Sequence, residues 1–295
     1  MGYTKNDPLQ KGSSMRKEYD IKTKIGKPLT AFVRRLLDTD LRLDAACISH
    51  TGCRRRKNED NFCFDDKCLP IQHGSMNTPM LMNCILQNAE RLGVFDGMGG
   101  GDCGEDASFE AASLLTGEPY DHLTDQGQVE PYLIQLCRRM NQCVHNRQLE
   151  NMCGRMGSTA AMIYFWDESV YVCNVGDSPV FLMRQGLLEK VSQDHTDREQ
   201  MEARGITGRK PYLTQFLGMD PEEYVVTPSI SRYTLNRGDT LLLCSDGVTD
   251  LISRQEIEYL FLQEDDSRRR VEQLLAQALQ RGGVDNITII VCQIY

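Results

Sequence analysis

The chain has 295 residues, 40% hydrophobic and 25% charged, enough apolar material for one large domain or two small ones and unlike a disordered polypeptide. A net charge of −9 and a pI of about 5.2 argue against a nucleic-acid or anionic-membrane surface and fit a cytoplasmic enzyme. No apolar run approaches the roughly 20 residues of a membrane-spanning helix, and Met1–Lys27 has no signal-peptide core.

In chain order, residues 1–27 are polar and read as a tail. Residues 29–37 have helical apolar spacing (Leu29, Phe32, Val33, Leu36, Leu37), which predicts a short amphipathic helix in an extension covering 1–42. The domain proper is expected over 43–295. Strands are predicted at 45–49, 61–65 and 92–95, with a variable connection over 66–91, broken by Pro70, Gly74 and Pro79, that matches no single element. Helices follow at 104–115 and 131–149, the second with Leu133, Leu136, Cys137, Met140 and Val144 on one face.

The richest strand signal is 158–191. Runs at 159–166, 169–175, 179–184 and 187–191 are separated by turn-length gaps, which predicts consecutive antiparallel neighbours. A strand at 240–244 precedes two helices. Ser253 and Glu256 have the spacing of a capping box for the first, and 267–281 carries Val271, Leu274, Leu275 and Ala278 as the apolar face of the second. A last strand fills 287–294. One-faced helices and antiparallel sheets that both need cover lead to an α+β fold, a four-layer α-β-β-α sandwich of two antiparallel sheets flanked by helices.

The twelve cysteines contain no C-x-x-C pair, which argues against zinc. Cys137, Cys173, Cys244 and Cys292 sit in apolar patterns as small buried hydrophobes, and a reducing compartment is the expectation.

Chemistry concentrates in acidic tripeptides: Asn58-Glu59-Asp60, Phe95-Asp96-Gly97, Ser245-Asp246-Gly247 and Val284-Asp285-Asn286. Any single Asp-Gly pair is more often a plain turn. As a set flanking strand-like runs, they are how a sheet edge gathers oxygen ligands for a hard cation such as Mg²⁺ or Mn²⁺. The glycines 97, 99, 100 and 101 lack the spacing of a phosphate-cradling loop, so close backbone approach to a metal is the better reading. The run Arg54-Arg55-Arg56-Lys57 reads as a solvated basic patch except at Arg55, whose spacing to Asn58-Glu59-Asp60 suits phosphate binding. His195 in Asp194-His195-Thr196 is open to two readings, a general acid or the brace of a turn.

The order Gly52-x-x-Arg55-x-x-Asn58-Glu59-Asp60, Phe95-Asp96-Gly97-Met98-Gly99-Gly100, Met156-Gly157-Ser158-Thr159, Val175-Gly176-Asp177-Ser178, Asp194-His195-Thr196, Ser245-Asp246-Gly247-Val248-Thr249-Asp250 and Gly283-Val284-Asp285-Asn286-Ile287-Thr288 resembles the metal-dependent type 2C Ser/Thr protein phosphatases. The resemblance covers about residues 43–295, and the Asp-Gly-Met-Gly-Gly form is similar to the bacterial branch. Seven motifs in one order are specific where any one would be weak.

The resemblance implies hydrolysis of phosphoserine and phosphothreonine on proteins with two Mn²⁺ or Mg²⁺ ions. The positions matching Asp96, Asp246 and Asp285 hold one ion; Asp96 and the carbonyl of Gly97 hold the other, with Glu59 or Asp60 acting on it directly or through water. Asp177 and Asp250 match a weaker third site, Arg55 the phosphate-binding arginine, and Asn286 a brace for Asp285. Implied partners are phosphorylated proteins, a cognate Ser/Thr kinase and its targets, with no nucleic acid and no membrane span. Pro179, Gln215 and a compact stretch between Asp197 and Pro211 depart from the family pattern and bear on substrate choice. The competing readings are a catalytically silent phosphoprotein-binding module, which should show damaged metal positions, and a hydrolase of small phosphoesters.

Overall fold

Alternation with a period of two decides the architecture. In β6 (Ala160–Trp166), Ala161, Ile163 and Phe165 face one way and Met162, Tyr164 and Trp166 the other, and the whole strand is buried. A strand apolar on both faces needs cover on both. The computed structural model describes residues 2, 41–86, 90–99, 103–119, 123–152 and 154–295. Leu41–Tyr295 forms one compact unit. The expected helix over 29–37 and the glycines 100 and 101 lie outside the described residues.

Two antiparallel sheets lie face to face. One runs β3 (Met80–Ile85), β1 (Arg42–His50), β12 (Ile287–Ile294), β11 (Thr240–Cys244), β8 (Val180–Arg184), β9 (Leu187–Lys190). The other runs β10 (Ser229–Thr234), β7 (Ser169–Val175), β6, β4 (Arg91–Gly99), β2 (Asp60–Cys63), with β5 (Met156–Ser158) paired to the far end of β4. Phe62, Val94, Ile163, Val172, Leu243 and Ile290 interdigitate between them.

The outer faces are covered by helices. Ala111 and Leu115 of α1 (Gly104–Thr116) and Leu136 and Met140 of α2 (Val129–Glu150) join Met162 and Tyr164 of β6 in one cluster. Two short helices, α3 (Arg198–Ala203) and α4 (Asp246–Thr249), lie in connections. Ile257 and Leu260 of α5 (Arg254–Gln263) and Val271 and Leu274 of α6 (Ser267–Gln280) cluster with Leu242, Ile289 and Val291. The capping box starts α5 as expected: Ser253 Oγ accepts the Glu256 amide, and the Glu256 carboxylate accepts the Ser253 amide at 2.9 Å. The α+β four-layer sandwich is therefore observed.

Four differences matter for function. The chain between β7 and β8 does not make a hairpin: β7 pairs with β6 and β10 in one sheet, and β8 with β11 and β9 in the other. Gly176, at φ +100, turns this crossover and leaves Asp177 on the rim between the sheets. β4 runs past Phe95 through Asp96 to Gly99 because β5 supplies a partner that local propensity cannot reveal. Part of the unassigned 66–91 segment is the edge strand β3, paired to β1. Cys103, just before α1, is disulfide-bonded, against the expectation of free thiols, whereas Cys47, Cys137, Cys173, Cys244 and Cys292 are free.

Leu243 is fully buried in the central layer. Leu243→Ala should lower unfolding free energy by about 2–5 kcal/mol through lost transfer energy and a cavity. Urea denaturation followed by the single tryptophan would measure it; a loss under about 1 kcal/mol would contradict this packing.

Candidate active site

Topology gathers the acidic residues. Asp60 in β2 lies opposite Asp96 in β4, Asp246 directly follows β11, Asp285 precedes β12, and Asp177 sits in the β7–β8 crossover. Two glycines permit the approach. A Cβ on Gly97 would stand 2.1 Å from the carbonyl oxygen of Gly104 and 2.4 Å from that of Glu59, so α1 can begin against β4 only if residue 97 lacks a side chain. A Cβ on Gly247 would stand 2.0 Å from the Asn286 carbonyl oxygen, so the Asp246 and Asp285 turns meet through that glycine.

These carboxylates hold one another's protons. Burial, then the charges of Asp246, Asp60, Asp177 and Asp285, push Asp96 well above the ordinary carboxylate range. Burial pushes Asp60 to about 7 in spite of hydrogen bonds that favour its charged form. Asp177 rises to about 6 through burial and then Asp246, and Asp246 is raised by burial against the pull of Lys210. Asp60 Oδ2 accepts the Ser245 hydroxyl at 2.7 Å, whereas Asp60 Oδ1 is buried with no hydrogen-bond partner. An orphaned carboxylate oxygen among like charges is costly unless a cation meets it, and an all-oxygen donor set suits Mg²⁺ or Mn²⁺.

The chain's own cations stand in this crevice. Among the described residues no three acidic, His or Cys side chains close into a finished metal cage. Arg55 Nη2 donates to Asp285 Oδ2 at 2.7 Å. Lys210 Nζ donates to Asp246 Oδ2 and, at 2.7 Å, to Asp250 Oδ2, which links the outlying Asp250 to the cluster. Burial opposes the charge on Lys210, but those two carboxylates win and hold it protonated. Lys210 was not legible as a site residue, because a basic residue in a connecting segment carries no motif. Glu59 stands at the margin: its carboxyl faces the start of α1, 2.8 Å from where a Gly104 Cβ would lie, and its carbonyl accepts the Gly97 amide at 3.1 Å. Burial and then Glu105 raise its pKa. Arg54 and Arg56 are exposed.

Behind the carboxylates lies a buried polar layer that the motifs only hinted at. Asn58 donates to Ser49 Oγ at 2.9 Å, Ser49 and Thr288 share a hydroxyl bond at 2.8 Å, and Ser245 Oγ accepts the Thr288 amide at 3.0 Å before donating to Asp60. Thr159 Oγ1 accepts the Asp96 amide at 3.0 Å and bonds Ser178 Oγ at 2.7 Å. Asn286 meets Asp285 through its backbone amide, which donates to Asp285 Oδ1 at 2.8 Å, whereas its side chain works elsewhere: its Oδ1 accepts the Glu59 amide at 2.8 Å and its Nδ2 donates to the carbonyls of Thr51 and Lys57, each at 2.9 Å. One side chain thus shapes the loop carrying Arg55. His195 is the brace of a turn, accepting the Gly176 amide at Nδ1 (3.2 Å) and donating its own amide to the Gly176 carbonyl (2.9 Å), beside Asp177. Gln215 accepts the Thr227 amide at 2.8 Å and so braces a loop.

The chain is similar to known protein phosphatases. The family model described as Protein phosphatase 2C matches residues 76–287. The serine/threonine phosphatase stp of Listeria monocytogenes is 28% identical over 211 residues, 68% of this chain and 82% of that protein. Protein phosphatase PhpP of Streptococcus pneumoniae is 29% identical over 203 residues, 66% of this chain and 81% of that protein. The crystal structure of the catalytic domain of PstP, solved with two manganese ions, superposes with a TM-score of 0.68 at 26% identity, over 86% of this chain and 99% of that one.

The raised carboxylates make a signed prediction. Asp60 titrates at about 7 and Asp177 at about 6 in the folded chain, against about 3.9 when unfolded. Such groups stabilise the fold when protonated, and that contribution is lost as pH rises through 6 and 7. In a chelator, the thermal midpoint should therefore climb as pH falls from about 8 to about 5, and a divalent cation should raise it most at the alkaline end. Scanning calorimetry across that range checks this; a chelated protein most stable at pH 8 would refute the crowding.

Proposed function

The chain belongs to the protein phosphatase 2C family, and from that membership we propose how its own residues divide the work of hydrolysis. It is a protein serine/threonine phosphatase that depends on Mn²⁺ or Mg²⁺. When bound, the ions activate water and offset the charge on the phosphoryl oxygens. Asp96, Asp246 and Asp285 are proposed to hold one ion, and Asp96 with the Gly97 carbonyl the other, with Asp60 or Glu59 acting on it directly or through water. Asp177 and Asp250 form a third position that Lys210 shares. The buried, unpartnered Asp60 Oδ1 opposite Asp96 is the observation that carries the assignment.

The remaining residues orient and bind. Ser245 fixes the Asp60 carboxylate through Oδ2 and leaves Oδ1 buried and unpartnered. Thr159 holds the Asp96 backbone, and Asn286 sets the loop from which Arg55 reaches the cluster. Arg55 stays cationic, chiefly through its hydrogen bond to Asp285. With Nη2 on Asp285, its other N–H groups can take phosphate oxygens in a planar fork. No protein nucleophile is required. Phosphorylated proteins are the substrates, and we assign their supply to a Ser/Thr kinase acting in the cytoplasm. No described helix is long and apolar enough to cross a membrane.

Phosphate release from a phosphothreonine peptide tests the reading. Turnover should need Mn²⁺ or Mg²⁺, vanish in a chelator, and fall at least about 100-fold in Asp96→Asn or Asp246→Asn. Arg55→Ala should mainly raise KM, because it removes binding shared by ground and transition states. Wild-type rates in the two Asn variants would refute the metal assignment, and an unchanged KM would remove Arg55 from the phosphate site.

A further inference from the structure

A cavity of about 620 Å³ opens beside the carboxylate cluster, between the β4–β5 pair and the segment that follows Lys210. Its floor is Gly157, where a Cβ would stand 2.6 Å from the Phe216 ring and 2.9 Å from the Met98 methyl, so both side chains lie across the glycine. Met156 and Leu213 complete an apolar lining, and Arg155 and Tyr212, both exposed, stand at the rim. Other basic side chains of the neighbouring segments have acidic partners: Arg209 pairs with Asp197 at 2.5 Å, Lys210 with Asp246 and Asp250, and Arg55 with Asp285. Arg155 has no ion pair among the described residues.

The walls are pinned on both sides. Ser158 and Leu217 exchange backbone hydrogen bonds of 3.0 and 2.8 Å, which anchors the segment just after Phe216 to β5. At the other end Asp197 accepts the Tyr212 amide at 2.7 Å and Lys210 is tied into the acidic crevice. The cavity is thus preformed, and its lining residues Met98 and Pro211 adjoin, in sequence, the strand that carries Asp96 and the segment that carries Lys210. Met98 and Gly99 are two and three residues beyond Asp96 in extended strand, about 7–10 Å at 3.3 Å per residue. An extended peptide advances at nearly the same rate, so a residue two or three positions from a phosphorylated side chain at the centre reaches this cavity.

We propose that this cavity is the specificity pocket for the substrate protein, receiving an apolar side chain two or three residues from the phosphorylated one, with Arg155 pairing an acidic side chain next to it. The assignment rests on the phosphatase reading above and deepens it by naming the substrate class: phosphosites with an apolar and acidic flank. The apolar lining supplies discrimination by burial, and the exposed Arg155 supplies a smaller electrostatic share at the rim.

The test compares kcat/KM of the full chain with Mn²⁺ on paired phosphothreonine peptides, Leu and Glu flanks against Ser and Lys flanks, placed on either side in separate peptides. Para-nitrophenyl phosphate, which has no flank, is the control. Wild-type protein should prefer one of the Leu–Glu peptides by roughly tenfold, carried by KM. Phe216→Ala should shrink that preference to about twofold or less. Arg155→Glu, an exposed change that spares the fold, should shift preference from the Glu to the Lys flank, and Arg155→Lys should keep the original order; in all three, turnover of the small ester should stay at the wild-type rate. Equal kcat/KM for all peptides in the wild type, or an order that Arg155→Glu leaves unmoved, overturns the pocket while the control shows the enzyme active. Failure to hydrolyse the control overturns the phosphatase reading itself.

Discussion

Mutual repulsion among Asp60, Asp96, Asp177, Asp246 and Asp285 is the constraint around which this fold is organised. Left to itself, such a group would spread into solvent, where each charge would be hydrated. Here the carboxylates are set on strand ends and tight turns that cannot retreat, because each belongs to a sheet whose two faces are buried. The apolar layers offset the unfavourable electrostatics locally. Burial and like charge then raise the proton affinity of the cluster.

Rigidity behind the cluster comes from hydrogen bonds rather than ion pairs. Ser49, Asn58, Ser245 and Thr288 form a chain of short polar side chains in which nearly every donor meets an acceptor. Such a network specifies a single arrangement, since any misplacement leaves a buried polar atom alone. Asp60 Oδ1, the exception, is buried without a partner.

Arg55 and Lys210 give the site its second sign of charge. Arg55 enters from a loop shaped by Asn286, and Lys210 from the segment pinned at Asp197 and Leu217. Both extend from exposed positions to the acidic cluster, Arg55 to Asp285 and Lys210 to Asp246 and Asp250. The same segment that carries Lys210 also walls the apolar cavity, which couples the electrostatics of the centre to the surface that reads the substrate.

The sequence by itself determined the chemistry and most of the layers. The acidic turns at Asp96, Asp246 and Asp285, which the structure brings together, stand out as short motifs, and β6, β7, β11 and β12 as apolar runs, because local spacing is enough to reveal an acidic turn or a strand buried on both faces. Partnership across the chain was decided only by the tertiary structure. β4 continues through Asp96 to Gly99 because β5 pairs with it, and the β7–β8 connection crosses between sheets although its length suits a hairpin. His195 becomes a brace because Gly176 lies beside it, Cys103 forms a disulfide, and Lys210 joins the site through contacts 36 and 40 residues away. Each depends on a neighbour distant in sequence, and no local pattern records which neighbour that will be.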